Sequence, residues 1–161
     1  MNLKAPSYAD LAAAIRSERA GVQALVEVLA AERQVLAEGE ADRLAELAPR
    51  KRELLLHIAH MGEQRNRLVE RCGASPDRRG MEQLLEANSD AAESRAEWLA
   101  LLALTQNAHR LNQENGAFIE TSMRANQQAL AVLTSAASSS SSSYGPSGRV
   151  VNFSSRALAS A

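Results

Sequence analysis

The sequence predicts an all-α protein, in which an antiparallel coiled-coil hairpin and a long third helix form an elongated three-helix bundle. The strong helix formers Leu, Ala, Glu, Arg and Gln dominate, and aromatic residues make up only 3% of the chain. Apolar residues also recur at alternating steps of three and four, the heptad spacing of packed helices. We therefore expect one helical domain over residues 1–136, followed by a Ser-rich disordered tail over 137–161.

The first helix is predicted over about residues 7–38. Ser7 and Asp10 form an S-x-x-D capping pattern, which satisfies free backbone amides in the first turn. Gly39 is well placed to end the helix. The heptad seam between these signals is apolar except for two glutamates, and it consists of Leu11, Ile15, Glu18, Val22, Leu25, Leu29, Glu32 and Leu36.

The second helix is predicted over about residues 42–72. Pro49 implies either a start near Ala48 or a kink after a short leading segment, and we favour the kink because the seam extends back through Leu44. Gly73 ends the helix, and Ser75-Pro76 predicts the N-cap and first position of the next helix. The seam contains two basic residues and consists of Leu44, Leu47, Lys51, Leu54, Ile58, Met61, Arg65, Leu68 and Cys72.

The charged seam positions predict the register of the hairpin. One alignment of the two helices places Glu32 opposite Lys51 and Glu18 opposite Arg65, while apolar seam residues face each other elsewhere. Sliding by one heptad leaves all four charges opposite apolar residues or off the seam. The pattern favours ion pairs that penalise a slipped register. The alternative is that these long side chains reach solvent at the rim and specify nothing.

The third helix is predicted over about residues 79–135. At 1.5 Å per residue it would be about 80 Å long, against about 45 Å for each arm of the hairpin. Its first half, which contains Trp98, can cover the hairpin, and its second half is expected to extend beyond it. The six serines from Ser138 to Ser143 then predict a segment that buries too little apolar surface to fold.

Charge and apolar run lengths exclude several classes of function. The 18 basic and 19 acidic residues nearly cancel, with only short basic groups, so no nucleic-acid partner is predicted. The apolar runs are far below the roughly 18 residues that span a bilayer, and the N-terminus lacks a secretory apolar stretch, so no membrane insertion is expected. The single Cys72 fits a reducing, cytoplasmic location.

The sequence also lacks a pattern typical of catalysis. His57 and His60 are one helical turn apart, but solvent-facing histidines are the expected interpretation because no further ligand pattern accompanies them. His109 is expected to be a packed or rim residue. No phosphate-binding loop, nucleophile elbow or paired-carboxylate motif is present. The sequence therefore predicts no catalytic residue, no metal site, no cofactor and no enzyme activity.

The second half of the predicted third helix is a candidate binding face. It combines apolar anchors and a flexible methionine with amides that can bond to a partner. The alternative is that the helix ends near Asn115-Gly116 and a fourth helix follows. The amides are Gln106, Asn107, Asn112, Gln113, Asn115, Asn126, Gln127 and Gln128. The partner-binding residues we predict are Leu111, Asn112, Asn115, Phe118, Ile119, Met123 and Leu130.

At these residues the chain resembles the FlgN-type flagellar export chaperones, over about residues 10–148. The most specific element is Leu111-Asn112-x-x-Asn115-Gly116, in a long last helix after a segment that contains Trp98. Supporting elements are Glu18 and Glu32 in the first helix, Leu44-x-x-Leu47 with Lys51, and Tyr144-Gly145-x-x-Gly148. The serine tract and the near-neutral charge depart from the family pattern.

The resemblance implies a cytoplasmic chaperone of flagellar type III secretion, without ATPase activity. Its clients would be the hook–filament junction proteins FlgK and FlgL, bound through their C-terminal helical segments. Binding would prevent premature assembly and deliver the client to the flagellar export gate, with docking at Tyr144. Two alternatives remain: a structural coiled-coil protein that self-associates through the third helix, and a sister chaperone for the filament-cap protein.

Overall fold

The described residues form four α-helices connected by short turns. The structure is a computed structural model that describes residues 8–88 and 91–141, with side chains as far as Ser138. The helices are α1 (Tyr8–Glu38), α2 (Ala41–Arg71), α3 (Arg78–Ala87) and α4 (Ala92–Ser141). The chain divides into two compact units, Met1–Phe118 and Ile119–Ala161. Every helix in the described ranges is too short or too polar to cross a bilayer.

The hairpin of α1 and α2 confirms the predicted boundaries to within one residue. Gly39 has a φ of +73°, the left-handed conformation that commonly ends a helix and that glycine adopts without strain. The next amide, on Glu40, donates to the carbonyl of Val35 at 3.2 Å. Helix α2 continues through Pro49, so the segment before the proline is helical, as the seam predicted.

The core of the first unit is built on one face of α1. Deep burial of a leucine or isoleucine side chain stabilises a fold by about 1.5–3 kcal/mol, so this seam holds the unit together. From α1 the core cluster takes the predicted seam residues Leu11, Ile15, Val22, Leu25 and Leu29. The other helices contribute Val69, Met81, Leu85, Trp98, Leu101 and Ala108, and Ala91 joins the cluster from the residue before α4.

The residue predicted to cap the N-terminus of the third helix is wrong. Asp77, rather than Ser75, is the N-cap: it has an extended backbone, and its Oδ1 accepts a hydrogen bond from the Gly80 amide at 2.7 Å. The Ser75 hydroxyl instead donates to Asp77 Oδ2 at 2.8 Å. These two bonds lower the pKa of the Asp77 carboxyl, the Gly80 amide having the larger effect.

The prediction of one continuous third helix over 79–135 is also wrong. Helix α3 ends at Ala87, Asn88 is extended, and α4 begins at Ala92. The Arg95 guanidinium caps the C-terminal end of α3. It donates hydrogen bonds to the Leu85 carbonyl at 2.9 and 3.1 Å and to the Asn88 carbonyl at 3.1 Å. Carbonyls that would be orphaned at this helix end are thereby satisfied. The alternative of a break at Asn115-Gly116 is also excluded, because α4 is helical through both residues.

Within the first unit, α4 runs parallel to α1. Arg19 lies 2.8 Å from Glu97 near one end, and the Arg33 guanidinium lies 5.5 Å from the centre of the Phe118 ring near the other. Because α4 begins only at Ala92, its stretch to Phe118 is about 40 Å long, close to the length of α1. The α1–α2 hairpin therefore packs along α4 as far as Phe118. A helix that began at residue 79 would have extended beyond the hairpin at an earlier residue.

The described part of the second unit is the α4 segment over residues 119–141. Residues 137–141 are helical, so the predicted disordered tail begins too early. The serine and threonine hydroxyls here bond back to the helix: Ser138 Oγ donates to the Ser135 carbonyl at 2.9 Å, and Thr134 Oγ1 to the Leu130 carbonyl at 2.9 Å. Such local bonds satisfy the hydroxyls within the helix. The remainder of the predicted tail, 142–161, lies outside the described residues.

Candidate partner-binding site

A polar layer crosses the first unit at Glu32, and it confirms one predicted ion pair. Lys51 Nζ lies 3.0 Å from both carboxylate oxygens of Glu32. Asn115 Nδ2 donates to Glu32 Oε2 at 2.8 Å and to the Leu29 carbonyl at 2.9 Å. The Asn115 residue is only 1% exposed. Charge-assisted bonds of this kind are the stronger class of hydrogen bonds, so one carboxylate joins three helices.

A second polar layer, around Glu18, confirms the other predicted pair. Arg65 Nη1 lies 2.9 Å from Glu18 Oε2. The same guanidinium lies 5.0 Å from the centre of the buried Trp98 ring, within the range of a cation–π contact. Burial raises the pKa of the Glu18 carboxyl, and the charge of Arg65 opposes that shift without cancelling it. The four predicted charges therefore pair within the unit, and their side chains are between 8% and 22% exposed.

Between these two layers lies an open groove with a volume of about 270 Å³. Small-molecule sites generally have about 300–1,000 Å³, so this space better suits one or two large side chains. The groove is predominantly apolar. Helix α1 lines the groove with Val22, Leu25 and Leu29. Helix α2 contributes Leu55 and Ile58, and α4 contributes Thr105, Ala108, His109 and Asn112. The charged residues Glu18 and Lys51 also line it.

The predicted client-binding residues of the first unit do not form one exposed face. Leu111 packs against the core cluster, and Phe118 is half-buried beneath Arg33. Asn112 is exposed and lines the groove. Asn115 is buried, and its side chain bonds to Glu32 in the interior of the unit.

The second unit carries the remaining predicted residues on a helix whose large apolar side chains are exposed. Ile119 is half-buried, whereas Met123 and Leu130 are 57% and 62% exposed. Val132 and Leu133, which were not in the predicted set, are 66% and 65% exposed. Residues 125–141 contain no charged side chain. Met123, Leu130 and Leu133 share one helix face, and exposed apolar side chains grouped in this way are typical of a partner-binding site.

The groups that were considered for chemistry are dispersed over the helices. His57, His60 and His109 are exposed, and His60 and His109 contact the glutamines one turn further on, at 2.8 and 2.9 Å. Cys72 is half-buried at the end of α2. Among the described residues, no group of three or more His, Cys, Asp or Glu side chains is arranged to hold a metal ion. Tyr144, the predicted export-gate residue, lies outside the described part of the chain.

Comparison with known families agrees with this helical, partner-binding architecture. The family model described as FlgN protein matches residues 1–152, nearly the whole chain. The chain belongs to the FlgN family. The resemblance found at Leu111, Asn112, Asn115 and Gly116 is therefore confirmed, and membership supports a chaperone role in flagellum synthesis. Among curated protein sequences, none matches this FlgN-family chain significantly.

A solved structure shows the same fold. The chain is similar to the flagella synthesis protein FlgN of Pseudomonas aeruginosa, whose crystal structure was determined at 1.48 Å resolution. The two have 24% sequence identity and a TM-score of 0.62, and the match covers 72% of this chain and 88% of that one. At this identity the similarity supports the fold of this FlgN-family chain and not the identity of its partners.

Proposed function

We propose that this chain is a cytoplasmic, non-enzymatic export chaperone of flagellar type III secretion. It binds the C-terminal helical segments of the hook–filament junction proteins FlgK and FlgL, prevents their premature assembly and delivers them to the flagellar export gate. Family membership supports the chaperone role. The clients, the gate and the cellular location follow from the resemblance.

The observation that carries the proposal is the exposed apolar face of the second unit. Met123, Leu130 and Leu133 lie at spacings of seven and three residues, so they share one helix face. All three are more than half exposed. An amphipathic helix of a client, with its own apolar residues at three- and four-residue spacing, is the natural complement of such a face.

The proposal assigns client recognition mainly to shape and apolar contact. The segment after Arg124 carries no charge as far as Ser141, so it provides no long-range electrostatic steering. Its amides Asn126, Gln127 and Gln128 can bond to polar groups at the edge of a docked helix. An uncharged face with a methionine adapts to more than one sequence, which suits a chaperone with two related clients.

Isothermal titration calorimetry with C-terminal segments of FlgK and FlgL tests the proposal. We expect saturable binding of both segments and no binding of the corresponding segment of the filament-cap protein. Binding of the filament-cap segment alone would instead support the sister-chaperone alternative. If none of the three segments binds, the assignment to export clients fails.

A further inference from the structure

The open groove of the first unit borders a side of α2 on which positive charge is concentrated. We propose that this groove binds an acidic amphipathic helix of a partner protein, with leucines inserted into the groove and carboxylates along the edge beside α2. The surface belongs to the first unit alone, so it is distinct from the client-binding face of the second unit. The inference does not depend on the identity of any client.

Helix α3 shows, within this chain, what kind of element covers the core of the first unit. Its Met81 and Leu85 are each 1% exposed and belong to the same cluster as Val69 and Trp98. They are four residues apart, on one face of the helix, while Glu86 remains exposed. The groove is lined by further members of that cluster. A second amphipathic helix is therefore the natural complement of the groove.

The charges of α2 determine the sign of that helix. Successive residues of a helix are rotated by about 100°, so Lys51 and Arg52 lie only about 40° and 60° around the axis from Leu55. Leu55 lines the groove. The carboxylates in the first half of α2 all lie about 140° to 180° away from Leu55, and they are Asp42, Glu46 and Glu53. The groove side of this half of α2 is therefore cationic.

Arg52 is the cation on this side that is available to a partner. Lys51 is paired with Glu32 at 3.0 Å, and Glu18, the acid that lines the groove, is paired with Arg65 at 2.9 Å. Arg52 is exposed, and no carboxylate of the described residues forms an ion pair with it. A partner carboxylate beside Leu55 would gain this pairing, whereas a partner lysine would meet like charge.

The other residues near the groove do not reverse this preference. On α4 the groove is lined by the exposed polar residues Thr105, His109 and Asn112, none of which carries a negative charge. Further along α2, Glu63 lies 3.7 Å from Arg67 and is thus already paired. The charge of α2 therefore decides which partner helix fits.

The size of the groove determines how the helix would lie. A volume of about 270 Å³ accommodates one or two large side chains and not a whole helix. The partner helix would therefore lie over the groove, with one or two leucines inserted and its edge residues beside α2. Leu55 and Leu56 are 48% and 69% exposed, and they provide further apolar surface for such a helix to cover.

Fluorescence anisotropy with two labelled synthetic peptides tests the proposal on the full chain. Both peptides have the same length and carry leucines at heptad spacing, and the flanking positions are glutamates in one and lysines in the other. We expect saturable binding of the glutamate peptide, at least about fivefold tighter than that of the lysine peptide. The difference should shrink as the salt concentration rises. Equal affinities, or no saturable binding of the glutamate peptide, would overturn the proposal.

Two arginines of α2 provide a matched pair of charge reversals. Arg52→Glu should weaken binding of the glutamate peptide about tenfold and strengthen binding of the lysine peptide. Arg50→Glu makes the same change of charge at an exposed position about 140° around the helix from Leu55, so it should leave both affinities unchanged. Equal effects of the two reversals would show that the peptide does not lie beside Arg52.

Two further variants locate the peptide. Thr105 is exposed and lines the groove, so Thr105→Trp should fill the groove and abolish binding, whereas Gln106→Trp, which does not line it, should not. If Thr105→Trp lowers the Tm, the exposed Arg52 and Arg50 variants decide the result. Met123→Asp, in the second unit, should leave binding of the glutamate peptide unchanged. Loss of peptide binding in Met123→Asp but not in Arg52→Glu would refute the groove site, and would leave the client-binding proposal intact.

Discussion

Asn115 of α4 and Lys51 of α2 bond to the same carboxylate, that of Glu32 in α1. Asn115 Nδ2 lies 2.8 Å from Glu32 Oε2, and Lys51 Nζ lies 3.0 Å from both oxygens. One buried acid thus specifies the position of two neighbouring helices. Sliding α4 by a heptad would bring Ala108 to this layer and leave the carboxylate with one partner fewer. Such polar contacts in a core are best understood as determinants of register.

Replacing Asn115 should destabilise the first unit. Asn115→Ala removes a donor from a buried carboxylate and from the Leu29 carbonyl, which typically costs about 1–3 kcal/mol. Asn112→Ala, at an exposed position three residues earlier, should change stability by less than about 0.5 kcal/mol. Urea unfolding followed by circular dichroism measures both. Equal effects of the two substitutions would contradict a structural role for the Asn115 amide.

The sequence predicted the Glu32–Lys51 pair but not the bond to Asn115, and the reason is physical. In the hairpin, charged residues interrupt an otherwise apolar seam, so only one register pairs them. Helix α4 is rich in Leu and Ala on several sides, and the predicted seam passed through Asn112 instead. The buried residues of the described part of α4 are Ser94, Trp98, Leu101, Ala108 and Asn115. Two of these five residues are polar, so hydrophobic periodicity alone does not identify the buried face.

The break before α4 was missed for a related reason. Asn88, Ser89 and Asp90 are residues that favour caps and turns over helix interiors. The heptad spacing continues across them, and that continuity outweighed the local signal in the prediction. What closes the end of α3 is Arg95, whose contacts with backbone carbonyls no sequence pattern indicated. Capping by a side chain ten residues away depends on tertiary geometry.

Exchanging the charges of Glu32 and Lys51 should preserve more stability than either single reversal. In each single variant, like charges face each other in a largely buried layer, whereas the double variant restores an opposite pair. The Asn115 amide can rotate so that its Oδ1, which accepts no hydrogen bond from a described residue, faces the lysine at position 32. A double-mutant cycle should give a coupling energy of about 0.5–3 kcal/mol. Additive effects would show that the two residues do not interact.

Two glycines should respond to alanine in opposite directions. A Cβ on Gly80 would lie 2.1 Å from the Ser75 carbonyl oxygen, so Gly80→Ala must displace backbone and should cost about 1–3 kcal/mol. A Cβ on Gly116 would meet nothing within 4 Å, so Gly116→Ala should stabilise α4 by about 0.5–1 kcal/mol. Thermal unfolding of the two variants beside the wild type measures both shifts. A neutral Gly80→Ala would contradict the close approach of the α2–α3 turn to α3.

The Asp77 cap should make stability depend on pH in the acidic range. The pKa of this carboxyl is lowered from its usual 3.8 in the folded chain, so its ionised form contributes stability above that value. The contribution is lost as the pH falls through the lowered pKa. Asp77→Asn keeps an acceptor for the Gly80 amide but does not titrate. The wild type should therefore have the higher Tm at pH 7, and the two Tm values should converge as the pH falls through the lowered pKa of Asp77. A difference in Tm that does not change with pH would contradict the assignment.

A charged substitution on the exposed face of the second unit should leave the fold stable but should weaken binding of the client. Met123 and Leu130 already contact water over more than half of their surface, so Met123→Asp or Leu130→Asp removes little buried area and should leave circular dichroism and Tm near wild type. Burying either new carboxylate against an apolar client helix is costly, because such a helix offers no opposite charge to pair with it. Loss of such an anchor typically weakens binding by about 2 kcal/mol or more. Calorimetry with the FlgK segment measures that loss.

Two further variants separate a binding defect from a folding defect. Gln128→Asp places the same charge on the opposite side of the helix and should retain client binding, because it removes no apolar anchor. Leu25→Asp introduces a carboxylate into the core seam of α1, where the leucine is 7% exposed, and should unfold the first unit. If Met123→Asp lowers the Tm as much as Leu25→Asp does, the face is packed in solution rather than free. Retention of full client affinity by Met123→Asp and Leu130→Asp would place client recognition elsewhere on the chain.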